Sequence, residues 1–369
     1  MPFPPVTGMT RHIAAMVPAL AAHYRITLFV LCDPDQPLDW QALAGSDLRA
    51  EAFTRVARPH PLRPPGLAGW HSPALDAAIT ALLRDDPPDL VQLEYSGMAI
   101  YAPRFGRIPT ICTATALDTL GLWRRLAHTP GGYQWIRRAL GLLLVAWHEW
   151  RALRRVSLVV THGSADLVLL RDYWRIDHAV HVPSGLPLGA VAPAPAGAPP
   201  RILCVGHFAH QPNRDGVAWF LTECWPAVRQ RYPDLVLDLV GARPADIGIV
   251  PGVCAHGVTS AVAAFYATAT VVVVPIWWGS GVRIKILEAV GAGRPIVSTP
   301  MACEGLPLRH DHELLVAADA DAFIAAICRL LDDPALRRRL TDQARVALAD
   351  RQWPAVAAQL VALYRPLIG

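Results

Sequence analysis

The chain has 369 residues, 53% of them apolar and 17% charged, with a formal net charge of +4. That length favours two domains over one, and so small and spread a positive charge excludes the footprint of a nucleic-acid binder. Seven cysteines without a C-x-x-C pair exclude a disulfide framework and a zinc site, and fit reduced thiols in a cytoplasmic protein.

The chain opens on MPFPPVTGMTRHIAAMVPAL, a loop running into a helical pattern, without the basic start and apolar core of a signal peptide. Parallel strands are predicted at ITLFVLC (26–32), DLVQLEY (89–95), PTICTA (109–114) and SLVVTH (157–162), separated by helical stretches. Asp33-Pro34-Asp35 imitates a metal-binding carboxylate pair, but no matching context surrounds it and it reads as a loop. The fourteen histidines show no ligand spacing either, so no metal is expected. Glu94 ends a strand, where ligands gather in open α/β sheets. It can bind hydroxyls, act in acid–base work or make a structural hydrogen bond.

From Leu122 to Arg155, Trp123, Trp135, Trp147 and Trp150 stand among seven arginines. Such a segment either lies on an anionic membrane or packs as a helical hairpin with its arginines in water. Its longest apolar run, Ala139 to Trp147, is too short to span a bilayer. The Pro/Ala/Gly stretch GAVAPAPAGAPP (189–200) reads as a linker.

The second half repeats the strand pattern at RILCVG (201–206), LVLDLVG (235–241), TVVVVPI (270–276) and RPIVST (294–299). In VGHFAHQPNRDGVAWFL (205–221), Gly206 lets the backbone bend close to a ligand, and Asn213 or Asp215 can cap the next helix. His256-Gly257-Val258 is a turn before a helix containing Phe265 and Tyr266. The most informative stretch follows at 271–306, VVVVPIWWGSGVRIKILEAVGAGRPIVSTPMACEGL. A buried strand leads into the turn Gly279-Ser280-Gly281, then a helical pattern over 282–290 and a second buried strand. A glycine turn at a helix start leaves N–H groups free at the positive end of the dipole. Arg283 and Lys285 add cations, and Glu288 a carboxylate. Cations with one carboxylate suit a nucleotide diphosphate, phosphate on the first and ribose hydroxyls on the second. The charged stretch Asp332 to Arg345 reads as a solvated helical face.

These residues closely resemble the C-terminal signature of the retaining GT-B glycosyltransferases, family four, in the branch of bacterial polysaccharide assembly. That branch reads strand, Pro, GSG-x-R-x-K-x-LEA, G-x-P-V-V-S-T and EGL. Pro275, Gly279, Ser280, Gly281, Arg283, Lys285, Leu287, Glu288, Ala289, Gly293, Pro295 and Glu304-Gly305-Leu306 match it. A second signature is matched by Gly206, Phe208, Pro212, Asn213, Asp215, Gly216, Trp219 and Phe220. The resemblance implies an α/β GT-B fold of two Rossmann-like domains facing a cleft. It implies an N-terminal acceptor-side domain (1–190, joined by a C-terminal helix, 352–369) and a nucleotide-sugar domain (191–351). It further implies a nucleotide-diphosphate sugar as donor substrate, no cofactor, and a glycan or lipid-linked acceptor. Arg283 and Lys285 then serve the diphosphate, with His207 beside it, and Glu288 serves the ribose. Gly257 holds the nucleobase through its backbone, and Gly206, Gly279, Ser280 and Gly281 allow close backbone approach. Glu304 helps position the sugar. Asp118 takes the acidic position near the cleft, and Glu94 serves the acceptor side.

Three departures stand out. Ser280 replaces a glutamate that many relatives use on the donor sugar, although this branch commonly carries Ser there. Thr115 replaces a cleft histidine, and a hydroxyl carries no charge. A first N-terminal strand is missing ahead of the loop, so either the start codon lies further upstream or the domain lacks a central strand. Two alternatives therefore accompany the transferase reading: a degenerate nucleotide-sugar-binding subunit, and a GT-B enzyme of other chemistry.

Overall fold

A computed structural model describes residues 8–32, 48–56, 70–127, 129, 131–186, 199–242, 248, 250–259 and 261–369. Asp33-Pro34-Asp35 and most of the 189–200 linker lie outside the described residues.

The N-terminal half starts with α1 (Gly8–Ala21) and the parallel pair β1 (Ile26–Cys32) and β2 (Leu48–Thr54). Helix α2 (Pro73–Asp85) is started by Ser72, whose side chain accepts from the Leu75 N–H, with Pro73 at the first helical position. Then come β3 (Val91–Glu94), a 3₁₀ segment (Ser96–Phe105) and β4 (Thr110–Ala114). A hairpin of α3 (Asp118–Ala127) and α4 (Tyr133–Leu153) follows, and then β5 (Leu158–Thr161), α5 (Ser164–Val168) and β6 (Ala179–His181). Strands β3-β4-β5-β6 form one parallel sheet and β1-β2 a separate one. Every residue of β4 is buried, as expected of a central parallel strand. Among the described residues no strand joins β1 to β3, which is where a doubly wound order would hold one more. Helix α1 spans that break. Its Ile13 and Val17 pack on Leu28 and Tyr95, and its Met16 and Leu20 join the cluster of Ile111 and Val160.

The second half runs β7 (Arg201–Val205), α6 (Gln211–Trp219), α7 (Trp225–Arg231), β8 (Val236–Val240), β9 (Val253–Gly257), α8 (Val262–Thr268) and β10 (Val271–Val274). It continues through α9 (Ile284–Gly291), β11 (Ile296–Ser298), β12 (Leu315–Val316), α10 (Ala320–Asp332) and α11 (Pro334–Ala347). Asp319 and Asp333 start α10 and α11 by accepting from backbone N–H groups of the first turn. The strand order is β12-β11-β10-β7-β8-β9, all parallel. This is the doubly wound order, and it reverses between β7 and β10. The last helix, α12 (Trp353–Ile368), crosses back to the N-terminal half, where Val356, Leu360 and Tyr364 pack with Met16, Leu20 and Ile111.

Candidate functional site

Open α/β sheets bind ligands beyond the strand carboxyl ends, where the strand order reverses. The loops after β7 and β10 meet at that point. Gly206 closes β7, its N–H donating to the Val240 carbonyl at 3.0 Å. A Cβ on Gly206 would lie 3.3 Å from both Lys285 Nζ and Asn213 Cγ, so a larger residue would crowd that pair. Gly216 lets α6 press against the Pro275 carbonyl, where any side chain would collide. Asn213 and Asp215 are not caps. Helix α6 begins at Gln211, and His210, at the N-cap, makes no side-chain cap bond. Asn213 lies inside the first turn, donating to the His207 carbonyl at 3.0 Å and accepting from Lys285 Nζ at 2.8 Å. Asp215 accepts from Trp278 Nε1 and Gln211 Nε2. His207 itself is exposed.

The turn Gly279-Ser280-Gly281 ends at Arg283, the N-cap of α9, so the helix begins two residues later than the sequence pattern indicates. Gly279 and Gly281 have φ of 130° and 72°, conformations that residues with a Cβ adopt rarely. The Arg283 guanidinium folds back onto the carbonyls of Ser280 and Gly281. Its Nε is buried without a partner. Desolvation, then the neighbouring Arg124, lowers Arg283 to about 10. Desolvation also lowers Lys285 to about 8, with Arg283 and Arg11 adding repulsion. Two cations thus stand at a helix start, where the dipole disfavours them.

The carboxylates are engaged from across the cleft. Glu288 receives a two-pronged ion pair from Arg11 of α1, at 2.5 and 3.0 Å, and a hydrogen bond from Tyr266 at 3.0 Å. Glu304 accepts from Arg124 of α3 at 2.7 Å, and Arg124 also donates to the Gly279 carbonyl at 2.7 Å. Ser280 Oγ donates to the Leu117 carbonyl at 2.8 Å. Gly281 lies against the carbonyl of buried Thr115, too close for a Cβ. Asp166 accepts from the Leu117 N–H at 3.1 Å, and its other oxygen is buried without a hydrogen-bond partner. Burial lifts its pKa to about 6. The two halves are therefore closed on each other.

Gly206, Gly279, Ser280, Gly281, Arg283, Lys285, Glu288 and Glu304 thus come together around one turn. Asp118 is exposed at the start of α3, three residues after Thr115. Its backbone N–H donates to Glu149, a buried carboxylate raised to about 7 by desolvation and by Asp118. Glu94 lies apart, hydrogen-bonded by Gln92, which in turn accepts from Tyr364 of α12. Its pKa is raised by burial to about 7. Gly257 ends β9 with φ of 68°, and its carbonyl accepts from the Gly241 N–H at 2.8 Å. Next to it, His256 pairs with Asp238 at 2.6 Å and packs on Phe265. Sequence reasoning missed Asp166, Tyr266, Arg124 and Arg11 as members of the cluster. None of them sits in a motif of its own, and each gains its meaning from a partner far along the chain.

The sequence model "Glycosyltransferase Family 4" matches residues 6–189, and "Glycosyl transferases group 1" matches residues 199–333. The chain belongs to glycosyltransferase family 4. The phosphatidyl-myo-inositol mannosyltransferase of Mycobacterium leprae is 25% identical to this glycosyltransferase over 315 residues, 79% of this chain and 77% of that one. The MMP alpha-(1->4)-mannosyltransferase of Mycolicibacterium hassiacum is 36% identical over 110 residues, 29% of this chain and 26% of the other. Among solved structures, the sucrose-phosphate synthase of Thermosynechococcus elongatus superposes with a TM-score of 0.74 at 21% identity, covering 97% of this chain and 93% of that one. Anabaena HepE, solved in complex with UDP and glucose, gives 0.65 at 14% identity, covering 93% and 100%. These likenesses show the GT-B fold. The glycosyltransferase has no helix among its described residues long and apolar enough to cross a membrane.

Proposed function

We propose that this glycosyltransferase moves a sugar, with retention, from a nucleotide-diphosphate donor to a glycan or lipid-linked acceptor in cell-envelope or exopolysaccharide assembly. The observation that carries the reading is Arg283. Its partnerless buried Nε and its neighbour Lys285 gather positive charge at the strand switch point, beside a glycine turn. A diphosphate there would relieve both the repulsion and the unmet donor. Glu288 would take the ribose hydroxyls, exchanging its Arg11 contact for them. Gly206, His207 and the Gly279–Gly281 turn would flank the diphosphate, and Gly257 the base. Glu304 would position the sugar, and Asp118 and Glu94 would serve the acceptor side. The UDP in HepE and the mannosyltransferase names of the relatives support a nucleotide-sugar donor.

In the reaction the bond from the sugar's anomeric carbon to the diphosphate breaks, and a bond to the acceptor oxygen forms on the same face. The acceptor's proton passes to the departing phosphate oxygen. Negative charge grows on the diphosphate, so Arg283, Lys285 and the turn N–H groups stabilise the transition state more than the ground state.

The acceptor side is proposed to be residues 1–190 with helix 352–369, and the donor side 191–351. The proposed place of work is the cytoplasm, at the inner face of the membrane, a reading supported by the exposed apolar ridge of α4 next to arginines (residues 122–155). A hydrolysis and transfer screen over UDP-, GDP- and ADP-sugars with membrane lipid extract tests the reading. Sugar released or transferred from one donor is the expected result. No binding and no turnover of any donor would sink it.

A further inference from the structure

We propose that Arg124 is a ligand of the donor's diphosphate, lent by the N-terminal half when the two halves close. The inference rests on the donor site proposed above and adds a cation from the opposite side of the cleft. Arg124 belongs to α3, yet its guanidinium reaches the Gly279 carbonyl at 2.7 Å, Met301 Sδ at 3.4 Å and Glu304 at 2.7 Å. Its side chain is only 11% exposed. It stands near enough to Arg283 for its charge to weigh on that group. Two guanidinium groups on one glycine turn repel each other, and the repulsion grows as water is excluded. Glu304, the carboxylate that Arg124 pairs with, is 39% exposed and offsets this weakly. Arg283 Nε meanwhile has no acceptor. An anion between the two arginines would give Arg283 Nε its acceptor and offset the repulsion, taking the place that the Gly279 carbonyl now holds on Arg124.

The position of Arg124 is built. The first turn of α3 is held by buried Glu149, which accepts from the Asp118 N–H at 3.0 Å and the Thr119 N–H at 2.9 Å. Glu149 also accepts from the hydroxyls of Thr119 and Ser96 at 2.6 and 2.7 Å. A carboxylate buried at a helix N-terminus fixes where that helix points. Here it aims Arg124 across the cleft. A guanidinium is suited to bridging phosphate oxygens with two parallel hydrogen bonds.

A plain latch between the halves would use the same Arg124–Glu304 contact, so the experiment must read phosphate recognition. Dissociation constants are measured by calorimetry for the uridine, guanosine and adenosine series, each as nucleoside, monophosphate and diphosphate. The proteins are wild type, Arg124→Met, Arg124→Lys and Arg283→Met, each checked for an unchanged melting midpoint. In the series that wild type binds, Arg124→Met is expected to weaken the diphosphate at least tenfold and the nucleoside less than twofold. Arg124→Lys should recover part of the loss. Equal losses for nucleoside and diphosphate would show a latch and overturn the inference, as would no loss at all. If Arg283→Met loses the diphosphate while Arg124→Met does not, this inference fails and the donor site stands. If wild type binds none of the nine compounds, the donor-site reading falls and takes the inference with it.

Discussion

Lys285 offers a test in solution at the scale of one side chain. Burial and the nearby arginines hold its pKa at about 8 in the empty protein. A bound diphosphate favours the ammonium form, so binding takes up a proton once the pH passes that value. Nucleoside diphosphate affinity is therefore expected to fall roughly tenfold between pH 7 and 9. Lys285→Arg should abolish the dependence, and an equally flat wild-type profile would remove Lys285 from the site. Glu288 gives a second test. Hydrogen bonds to a charged group contribute about 1.5–3 kcal/mol, so Glu288→Ala should weaken nucleotide binding by roughly ten- to a hundredfold. Calorimetry showing unchanged affinity would deny it the ribose. The motif residues were legible because a glycine turn, two cations and a carboxylate carry their chemistry within ten positions of one another. Arg11 and Arg124 were not. Their partners, Glu288 and Glu304, are 277 and 180 residues away.

At the scale of elements, the 122–155 segment left two readings open, and it folds as a helical hairpin with an apolar outer face. The α3–α4 hairpin packs inward through Val145, Glu149 and Leu153. Its outward face exposes Ile136, Leu140, Leu143, Leu144 and Trp147 at helical spacing, with Leu143 66% exposed. Arg151 lies further along the same face and stacks over Trp147 at 5.6 Å. Between Thr119 and Arg155 the only acidic residue is Glu149, which is buried. An apolar ridge beside unopposed arginines suits an anionic lipid surface. The full protein is expected to sediment with phosphatidylglycerol vesicles and much less with phosphatidylcholine ones. Leu140→Glu with Leu143→Glu should lower that partition at least tenfold without changing nucleotide affinity, since both side chains face water. Equal partition of variant and wild type would contradict the membrane reading. Helix starts were less legible than helix faces. The 205–221 stretch pointed to Asn213 or Asp215 as a cap, whereas Pro212 stands in the first turn and α6 starts ahead of both.

For the whole molecule, the second half followed from its buried strands, because four apolar runs separated by helices admit few parallel orders. The reversal between β7 and β10 then brings Gly206 to the Gly279–Gly281 turn. The two edge strands were not foreseen: β12 has only two residues, and the end of β9 read as a turn at His256-Gly257-Val258. In the first half, β2 was not foreseen, since LRAEAFT lacks the apolar run of a buried strand and sits at the outer side of a two-stranded sheet. The closure of the halves could not be read from sequence at all. Its contacts include Arg11–Glu288, Ser280–Leu117 and Arg124 with Gly279 and Glu304, between residues with no shared periodicity. The closed cleft is proposed to stabilise a departing diphosphate. Its most direct test is Lys285→Ala, with donor turnover and free-nucleotide affinity measured side by side. Turnover is expected to fall at least a hundredfold while nucleoside affinity stays within a few fold, because the charge that Lys285 is proposed to meet grows in the transition state. Turnover that stays at the wild-type rate, or that falls only in step with nucleoside affinity, would contradict it.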